Sequence, residues 1–82
     1  MSVIIYTLPD CPNCNTLKRW LEKKKVEFKI APLDTLNRTR FIMENIFGSA
    51  PILETHDGLI LVGEDMFVDH EFIEGFAEVI IG

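Results

Sequence analysis

Residues 3–21 read VIIYTLPDCPNCNTLKRWL: a short β-branched and aromatic run, a turn with both cysteines of the chain, and a helical pattern. Val3–Tyr6 is typical of a buried strand. Pro12 suits the first position of a helix, where no N–H is needed, so Cys11 falls at the N-cap and Cys14 at the third helical position. The stretch therefore predicts a strand that leads directly to a helix with two thiols at its beginning.

The next segments predict a second strand and a second helix. Residues 26–30 alternate apolar and charged side chains, as a half-buried strand does, and Pro32 ends this strand. A helix is expected from about Thr35 to Phe47, with Gly48 as its C-terminal stop. Its inward side chains are assigned to Leu36, Met43, Ile46 and Phe47.

The second half of the chain predicts a hairpin and a last helix. Two short strands are expected at Pro51–Glu54 and Leu59–Val62, joined by the turn signal His56-Asp57-Gly58. The last helix is expected to begin between Asp65 and Asp69 and to run nearly to the C-terminus. It is assigned from apolar residues at helical spacing: Val68, Phe72, Ile73, Phe76, Ala77 and Ile80.

The order β-α-β-α-β-β-α predicts an α/β domain over residues 1–82. A strand–helix–strand unit implies parallel pairing, and the hairpin is antiparallel, so we expect a four-stranded mixed sheet with helices on both faces. The 48% hydrophobic content is too high for a disordered chain. No apolar run is long enough to cross a bilayer, and residues 1–8 lack the features of a signal peptide, so we expect no membrane association.

Charge is distributed unevenly along the chain. Residues 1–41 carry all eight Lys and Arg, whereas residues 42–82 carry most of the 13 acidic residues and no Lys or Arg. Two interpretations stay open: solvated helices of opposite charge, or an acidic half that selects a basic partner. The basic run Lys23–Lys25 is short and the net charge is −5, so nucleic-acid binding is not expected.

Two cysteines at the beginning of a helix indicate dithiol–disulfide exchange. Unpaired N–H groups and the helix dipole stabilise a thiolate there, and the thiolate is the form that attacks disulfides. Cys11 is nearer the helix N-terminus, so it is the expected nucleophile. Cys14 lies on the same side of the helix and can resolve a mixed disulfide formed at Cys11. The carboxylate of Asp10 opposes this arrangement by disfavouring the Cys11 thiolate.

The cysteine pair is open to two structural alternatives. Cys11 and Cys14 could be an inert buried pair. A zinc site would need two further ligands, and the only histidines, His56 and His70, have no paired spacing, so no metal is expected. A single CxxC in an otherwise cysteine-free chain fits a reducing cytoplasm.

Pro51 is a second informative residue because it opens a strand. A proline there is compatible with simple strand initiation, since it cannot donate to the sheet. The functional interpretation is a cis peptide beside the dithiol, which leaves the backbone of Ala50 free to pair with an extended substrate.

Three features in this order resemble a glutaredoxin over essentially the whole chain: the CPxC motif Cys11–Cys14, the Ala50-Pro51 turn before a hairpin, and Gly63 before an acidic turn. The resemblance implies a thioredoxin-like fold, with Pro51 as the cis-proline. It implies reduction of protein disulfides or glutathione mixed disulfides, with glutathione as co-substrate and no bound cofactor. The stretch from Ser49 to Gly63 is also similar to the glutaredoxin-like redoxins that serve ribonucleotide reductase and draw electrons from thioredoxin reductase.

The resemblance also implies a glutathione site, with departures at three positions. Asn13 stands where the family usually has an aromatic residue, Leu8 where it often has Lys, and Glu64 where it has a second Gly. Arg38 or Arg40 is the expected partner of a glutathione carboxylate, and Asp65 of the γ-glutamyl ammonium. The implied substrate- and glutathione-binding residues are Pro12, Asn13, Arg38, Arg40, Ala50, Pro51, Gly63, Glu64 and Asp65.

The expected partners follow from the same resemblance. They are glutathione, disulfide-containing proteins with ribonucleotide reductase among them, and thioredoxin reductase as an alternative electron donor. The chain is expected to be a cytoplasmic monomer. The competing hypothesis is a non-catalytic thioredoxin-like module that docks a partner by its acidic half or bridges an iron–sulfur cluster with glutathione; Pro12 stiffens the loop and disfavours such bridging.

Overall fold

The computed structural model describes residues 2–68 and 71–73, in which a four-stranded sheet is followed by a short helix and a two-stranded hairpin. The strands are β1 (Ser2–Thr7), β2 (Glu27–Pro32), β3 (Ile52–Glu54), β4 (Ile60–Leu61), β5 (Phe67–Val68) and β6 (Glu71–Phe72). The helices are α1 (Pro12–Lys23), α2 (Thr35–Met43) and α3 (Gly63–Met66). None of these helices is long and apolar enough to cross a membrane.

The sheet has the strand order β2-β1-β3-β4. β1 pairs in parallel with β2, from Ser2 opposite Glu27 to Thr7 opposite Pro32. β3 pairs antiparallel with both β1 and β4, and the β3–β4 turn contains Gly58 in a left-handed conformation (φ +87°) that suits glycine. The predicted four-stranded mixed sheet is therefore confirmed.

Apolar cores cover both faces of the sheet because side chains alternate along β1. Ile5 belongs to one core together with Leu17 and Leu21 of α1, whereas Tyr6 belongs to the other together with Phe41 of α2. Helices on both faces are confirmed. The first core consists of Val3, Ile5, Leu17, Trp20, Leu21, Leu53, Met66 and Phe67, and the second of Tyr6, Leu33, Phe41 and Ile52.

The first helix begins where its sequence predicts. Cys11 is the N-cap and Pro12 the first helical residue. The helix ends in a Schellman motif, in which Lys25 has φ +59° and the N–H of Val26 donates to the carbonyl of Leu21 at 3.0 Å. The buried face of this helix consists of Cys14, Leu17, Trp20 and Leu21.

The second helix is shorter than predicted and buries a different side. It ends at Met43 because Asn45 has φ +60° and the N–H of Ile46 donates to the carbonyl of Phe41 at 2.8 Å, a second Schellman motif. The predicted stop at Gly48 is therefore wrong. Phe41 is the buried residue of this helix, and Ile46 is partly buried beyond its end. The predicted inward residues Leu36, Met43 and Phe47 are instead exposed.

The predicted beginning of the last helix is also wrong. After the single turn of α3, the chain is extended at Val68 and Phe72, two residues that the helical spacing predicts to lie in the last helix. Phe67 pairs with Phe72 across the β5–β6 hairpin, and the ring of Phe72 packs against Trp20 at a centroid distance of 5.4 Å. The ring of Phe72 also packs against Phe67, and the burial of this pair in the first core explains why the segment is extended. The later part of the predicted helix, with Phe76, Ala77 and Ile80, lies outside the described residues.

Candidate active site

The dithiol lies at the beginning of α1. A disulfide joins Cys11 and Cys14, whose Cα atoms are 5.2 Å apart. The sulfur of Cys11 accepts a hydrogen bond from the backbone N–H of Cys14 at 3.2 Å, so this sulfur is itself the N-cap acceptor. A negative charge on Cys11 would meet the same N–H group and the positive end of the helix dipole.

The two sulfurs differ in access to solvent. Cys11 is half-buried, whereas the side chain of Cys14 is only 2% exposed and packs beneath the helix end. A substrate disulfide can therefore reach Cys11 before it can reach Cys14. This difference in burial is consistent with the predicted roles of Cys11 as nucleophile and Cys14 as resolving thiol.

The loop before the dithiol contains a residue in a left-handed conformation. Asp10 has φ +54°, a region that Asn and Asp enter more readily than other side chains apart from Gly. Asp10 and Leu8 are both exposed. The Asp10 carboxylate, which is expected to disfavour the Cys11 thiolate, is therefore exposed to solvent.

The peptide bond between Ala50 and Pro51 is cis, as predicted. Tyr6 of β1 lies opposite Ile52 of β3, so one step further along the antiparallel register places Pro51 opposite Thr7. Thr7 ends β1 just before the loop that leads to the dithiol. The cis-proline and the dithiol therefore lie at the same edge of the sheet.

The segment Ser49–Pro51, here called the Pro51 loop, is held by the beginning of α3. The N–H of Gly63 donates to the carbonyl of Ser49 at 2.8 Å. A Cβ atom added to Gly63 would lie only 2.6 Å from that carbonyl oxygen, so a side chain at this position would force the loop away. The resemblance implies a role for Gly63 at the site. The structure requires glycine there because the backbone of Ser49 lies too close for a side chain.

Glu64 makes the second contact with the Pro51 loop. Its carboxylate accepts hydrogen bonds from the N–H of Ser49 at 2.8 Å and from the Ser49 hydroxyl at 3.0 Å. The bond from the Ser49 N–H lowers the pKa of Glu64 below its ordinary value, although partial burial opposes the shift. Asp65 instead accepts from the N–H of Val62 at 3.0 Å. No local sequence pattern predicts the hydrogen bonds between Ser49 and Glu64, because the two residues are far apart along the chain.

The two predicted glutathione-carboxylate partners lie in different surroundings. Arg40 is bound to Glu54 at 2.7 Å and to Glu44 at 3.1 Å, and its Nη1 donates to the Tyr6 hydroxyl at 3.0 Å. Arg38 donates through Nε to the carbonyl of Leu33 at 3.3 Å and lines a cavity of about 190 Å³ beside Phe47. Leu33 in turn bonds to Thr7, so Arg38 lies toward the dithiol edge of the sheet.

The cluster of Tyr6, Arg40 and Glu54 was not anticipated from the sequence. The hydrogen bond from Arg40 lowers the pKa of Glu54, partly opposed by burial, and burial together with Glu54 raises the pKa of Tyr6. This cluster joins α2 to the sheet. Among residues 2–68 and 71–73, no group of three His, Cys, Asp or Glu is arranged to hold a metal ion.

Comparison with known proteins supports the same fold. The family model described as Glutaredoxin matches residues 3–53, which include both cysteines and Pro51. No curated protein matches the chain. Among solved structures, the thioredoxin-like protein BC3987 is 24% identical with a TM-score of 0.72, and the alignment covers 95% of this chain and 97% of that chain.

Two further solved structures are similar. A single-residue mutant of BC3987 is 22% identical with a TM-score of 0.75, over 98% of this chain and 99% of that chain. The glutaredoxin-like protein NrdH-redoxin from Escherichia coli is 26% identical with a TM-score of 0.64, over 77% of this chain and 83% of that chain. These similarities confirm the predicted thioredoxin-like fold.

Proposed function

The chain belongs to the glutaredoxin family and is a thiol–disulfide oxidoreductase, and from this premise we propose that it reduces disulfides in other proteins through Cys11 and Cys14. The observation that carries the proposal is the half-buried Cys11 sulfur at the N-cap of α1, joined to a Cys14 that is buried behind it. The Pro51 loop beside this pair supplies backbone groups with which an extended substrate can pair.

The proposed reaction passes two electrons to the substrate. The Cys11 thiolate attacks one sulfur of the substrate disulfide, so a Cys11–substrate bond forms and the other substrate sulfur leaves as a thiolate. Cys14 then loses its proton and attacks the Cys11 sulfur. The second substrate sulfur leaves and is protonated, and the protein is left with the Cys11–Cys14 disulfide.

We propose that a reductase of the thioredoxin reductase type regenerates the dithiol. The exposed Leu8 stands where a glutathione-using relative often carries Lys, and the Glu64 carboxylate already occupies the N–H of Ser49. The similarity to NrdH-redoxin, a glutaredoxin-like protein with a thioredoxin-like activity profile, favours this choice. Ribonucleotide reductase is the target class we propose, and the cytoplasm is the proposed compartment.

Glutathione is the second candidate electron donor. Arg38 favours it, because this exposed cation lies toward the dithiol edge and lines a cavity with Phe47. A glycine carboxylate of glutathione could pair with Arg38, whereas Arg40 is already held by two carboxylates. In that case glutathione, without Cys14, would resolve the mixed disulfide on Cys11.

Two substitutions test the proposed roles. Cys11→Ser should abolish reduction of insulin or of another protein disulfide, because the remaining thiol, Cys14, is buried and cannot reach a substrate disulfide. Cys14→Ser should stop protein-disulfide reduction and trap the substrate on Cys11, which mass spectrometry would detect. A Cys11→Ser protein with appreciable activity would contradict the assignment.

Coupled assays separate the two donors. The oxidised protein is mixed with NADPH and either thioredoxin reductase or glutathione plus glutathione reductase, and NADPH consumption is followed. We expect fast turnover with thioredoxin reductase and slow turnover with glutathione. The reverse result would assign glutathione as the donor.

A further inference from the structure

The Pro51 loop is bonded to the beginning of α3 by the Glu64 side chain as well as by the backbone hydrogen bond from Gly63 to Ser49. One carboxylate oxygen of Glu64 accepts from both the N–H and the hydroxyl of Ser49, at 2.8 and 3.0 Å. Ser49 directly precedes Ala50, whose backbone is the proposed pairing site for an extended substrate. Glu64 is therefore bonded to the residue next to the substrate-pairing position.

Glu64 also brings a fixed negative charge to this place. Its side chain is exposed, and among residues 2–68 and 71–73 it forms no ion pair with Lys or Arg. Residues 42–82 contain no Lys or Arg, and the cation placed toward this edge, Arg38, lines the cavity beside Gly48 without pairing with Glu64. Two neutral donors hold the carboxylate in place, so its charge stays available to a substrate.

We propose that Glu64 is a positioning residue that holds the Pro51 loop and makes the site prefer cationic over anionic disulfide segments, an inference that rests on the proposed reduction of protein disulfides. The two effects have different physical origins. Positioning depends on an acceptor oxygen for Ser49, whereas the preference depends on the charge. A substitution that removes only the charge of Glu64 and one that removes both the charge and the acceptor oxygen can therefore separate the two effects.

The first test is kinetic and uses the whole chain. Three disulfide-linked peptides of equal length carry Lys, Gln or Glu beside the cystine, and kcat and KM are measured for each. Glu64→Gln keeps an acceptor oxygen for Ser49, so kcat/KM for the neutral peptide should fall less than it does in Glu64→Ala. The preference for the Lys peptide over the Glu peptide should fall about two- to fivefold, mainly through KM, as expected for one solvated charge.

Glu64→Ala removes the acceptor as well as the charge. We expect kcat/KM to fall about five- to tenfold for all three peptides, because the Ser49 N–H loses its partner and the loop is held less firmly. Asp57→Asn is the matched control: it removes one exposed carboxylate at the tip of the β3–β4 turn and should leave the peptide preference unchanged. An unchanged preference in Glu64→Gln, or equal rates for Glu64→Ala and Glu64→Gln with the neutral peptide, would overturn the inference.

The second test measures binding without turnover. A Cys11→Ser, Cys14→Ser protein, with and without Glu64→Gln, is titrated with fluorescent peptides in which a thioether replaces the disulfide. We expect the Lys peptide to bind more tightly than the Glu peptide, with a difference that shrinks in Glu64→Gln and at high salt. Equal affinities would refute the inference even for an active reductase. A charge preference in a protein that reduces no peptide would support the inference and refute the proposed function alone.

Discussion

Asp10 shows what single residues contribute to the site. The sequence places a carboxylate beside the nucleophile, and the structure adds that this residue has φ +54°. A substitution here therefore changes charge alone only if the new side chain tolerates the left-handed region, as Asn does.

Asp10→Asn should make Cys11 more reactive. Removal of the neighbouring negative charge favours the thiolate, so the rate of alkylation by iodoacetamide at pH 7 should rise about two- to fivefold. The rate is measured on the reduced Cys14→Ser protein, in which Cys11 is the only thiol. Asp57→Asn, which removes an exposed carboxylate from the β3–β4 turn, is the control. A rate that Asp10→Asn leaves unchanged would show that solvent screens the carboxylate completely.

Glu54 links stability to pH. The Arg40 hydrogen bond holds its pKa below the ordinary value of 4.5, so the ionised form stabilises the fold above that pH. This stabilisation disappears as the pH falls through the lowered pKa. Glu54→Gln should therefore lower the free energy of unfolding by about 1 kcal/mol at pH 7, with a smaller difference below about pH 4.

Urea denaturation at pH 7, 5 and 3.5 would measure this difference. Glu44→Gln is the matched control, because Glu44 also pairs with Arg40 but through a more exposed side chain. Its effect should be smaller at every pH. A difference between Glu54→Gln and the unmodified protein that grows in acid would contradict the sign argued here.

At the scale of the element, the C-terminal ends of α1 and α2 show which contacts determine the length of a helix. Both α1 and α2 end in Schellman motifs whose left-handed residue is not glycine but Lys25 or Asn45. The sequence pattern placed the end of the second helix at Gly48, because glycine is the usual residue there. The contact of Ile46 with the Phe41 core fixes the earlier end.

Lys25→Gly should stabilise the protein. Glycine adopts φ near +59° without the steric cost of a Cβ atom, and this gain exceeds the greater freedom of glycine in the unfolded chain. The free energy of unfolding should rise by about 0.5–1 kcal/mol. Lys25→Ala, measured by the same urea titration, controls for the lost charge and should not be stabilising. A loss of stability in Lys25→Gly would contradict the strain argument.

At the scale of the whole molecule, stability depends on the two apolar cores on either face of the sheet. The short central strand β3 contributes side chains to both of them. Leu53 of β3 is fully buried between β1 and β4, whereas Leu59 in the β3–β4 turn is 52% exposed. The same truncation at these two positions therefore measures what the sheet core contributes.

Leu53→Ala should lower the free energy of unfolding by about 3 kcal/mol, a large part of the roughly 5–10 kcal/mol expected for a domain of this size. Leu59→Ala should cost less than about 0.5 kcal/mol. Thermal and urea denaturation of both variants would check this. Similar losses for the two variants would show that the core does not pack as described.

The sequence alone determined the dithiol at a helix N-terminus, the order of the strands and helices through β4, and the hairpin at Asp57-Gly58. These features depend on local signals: a proline at the first helical position, thiols three residues apart, and a glycine turn. Such signals act between residues that are neighbours along the chain.

Only the tertiary structure decided the extended segment at Phe67 and Phe72 and the bond between Ser49 and Glu64. The ring of Phe72 packs against Trp20 and against the ring of Phe67, and these contacts override the helical spacing of the sequence. Ser49 and Glu64 are 15 residues apart in the chain, and they meet because the cis-Pro51 loop and the beginning of α3 lie side by side. Contacts between distant segments have no local pattern, so folding itself creates this part of the site.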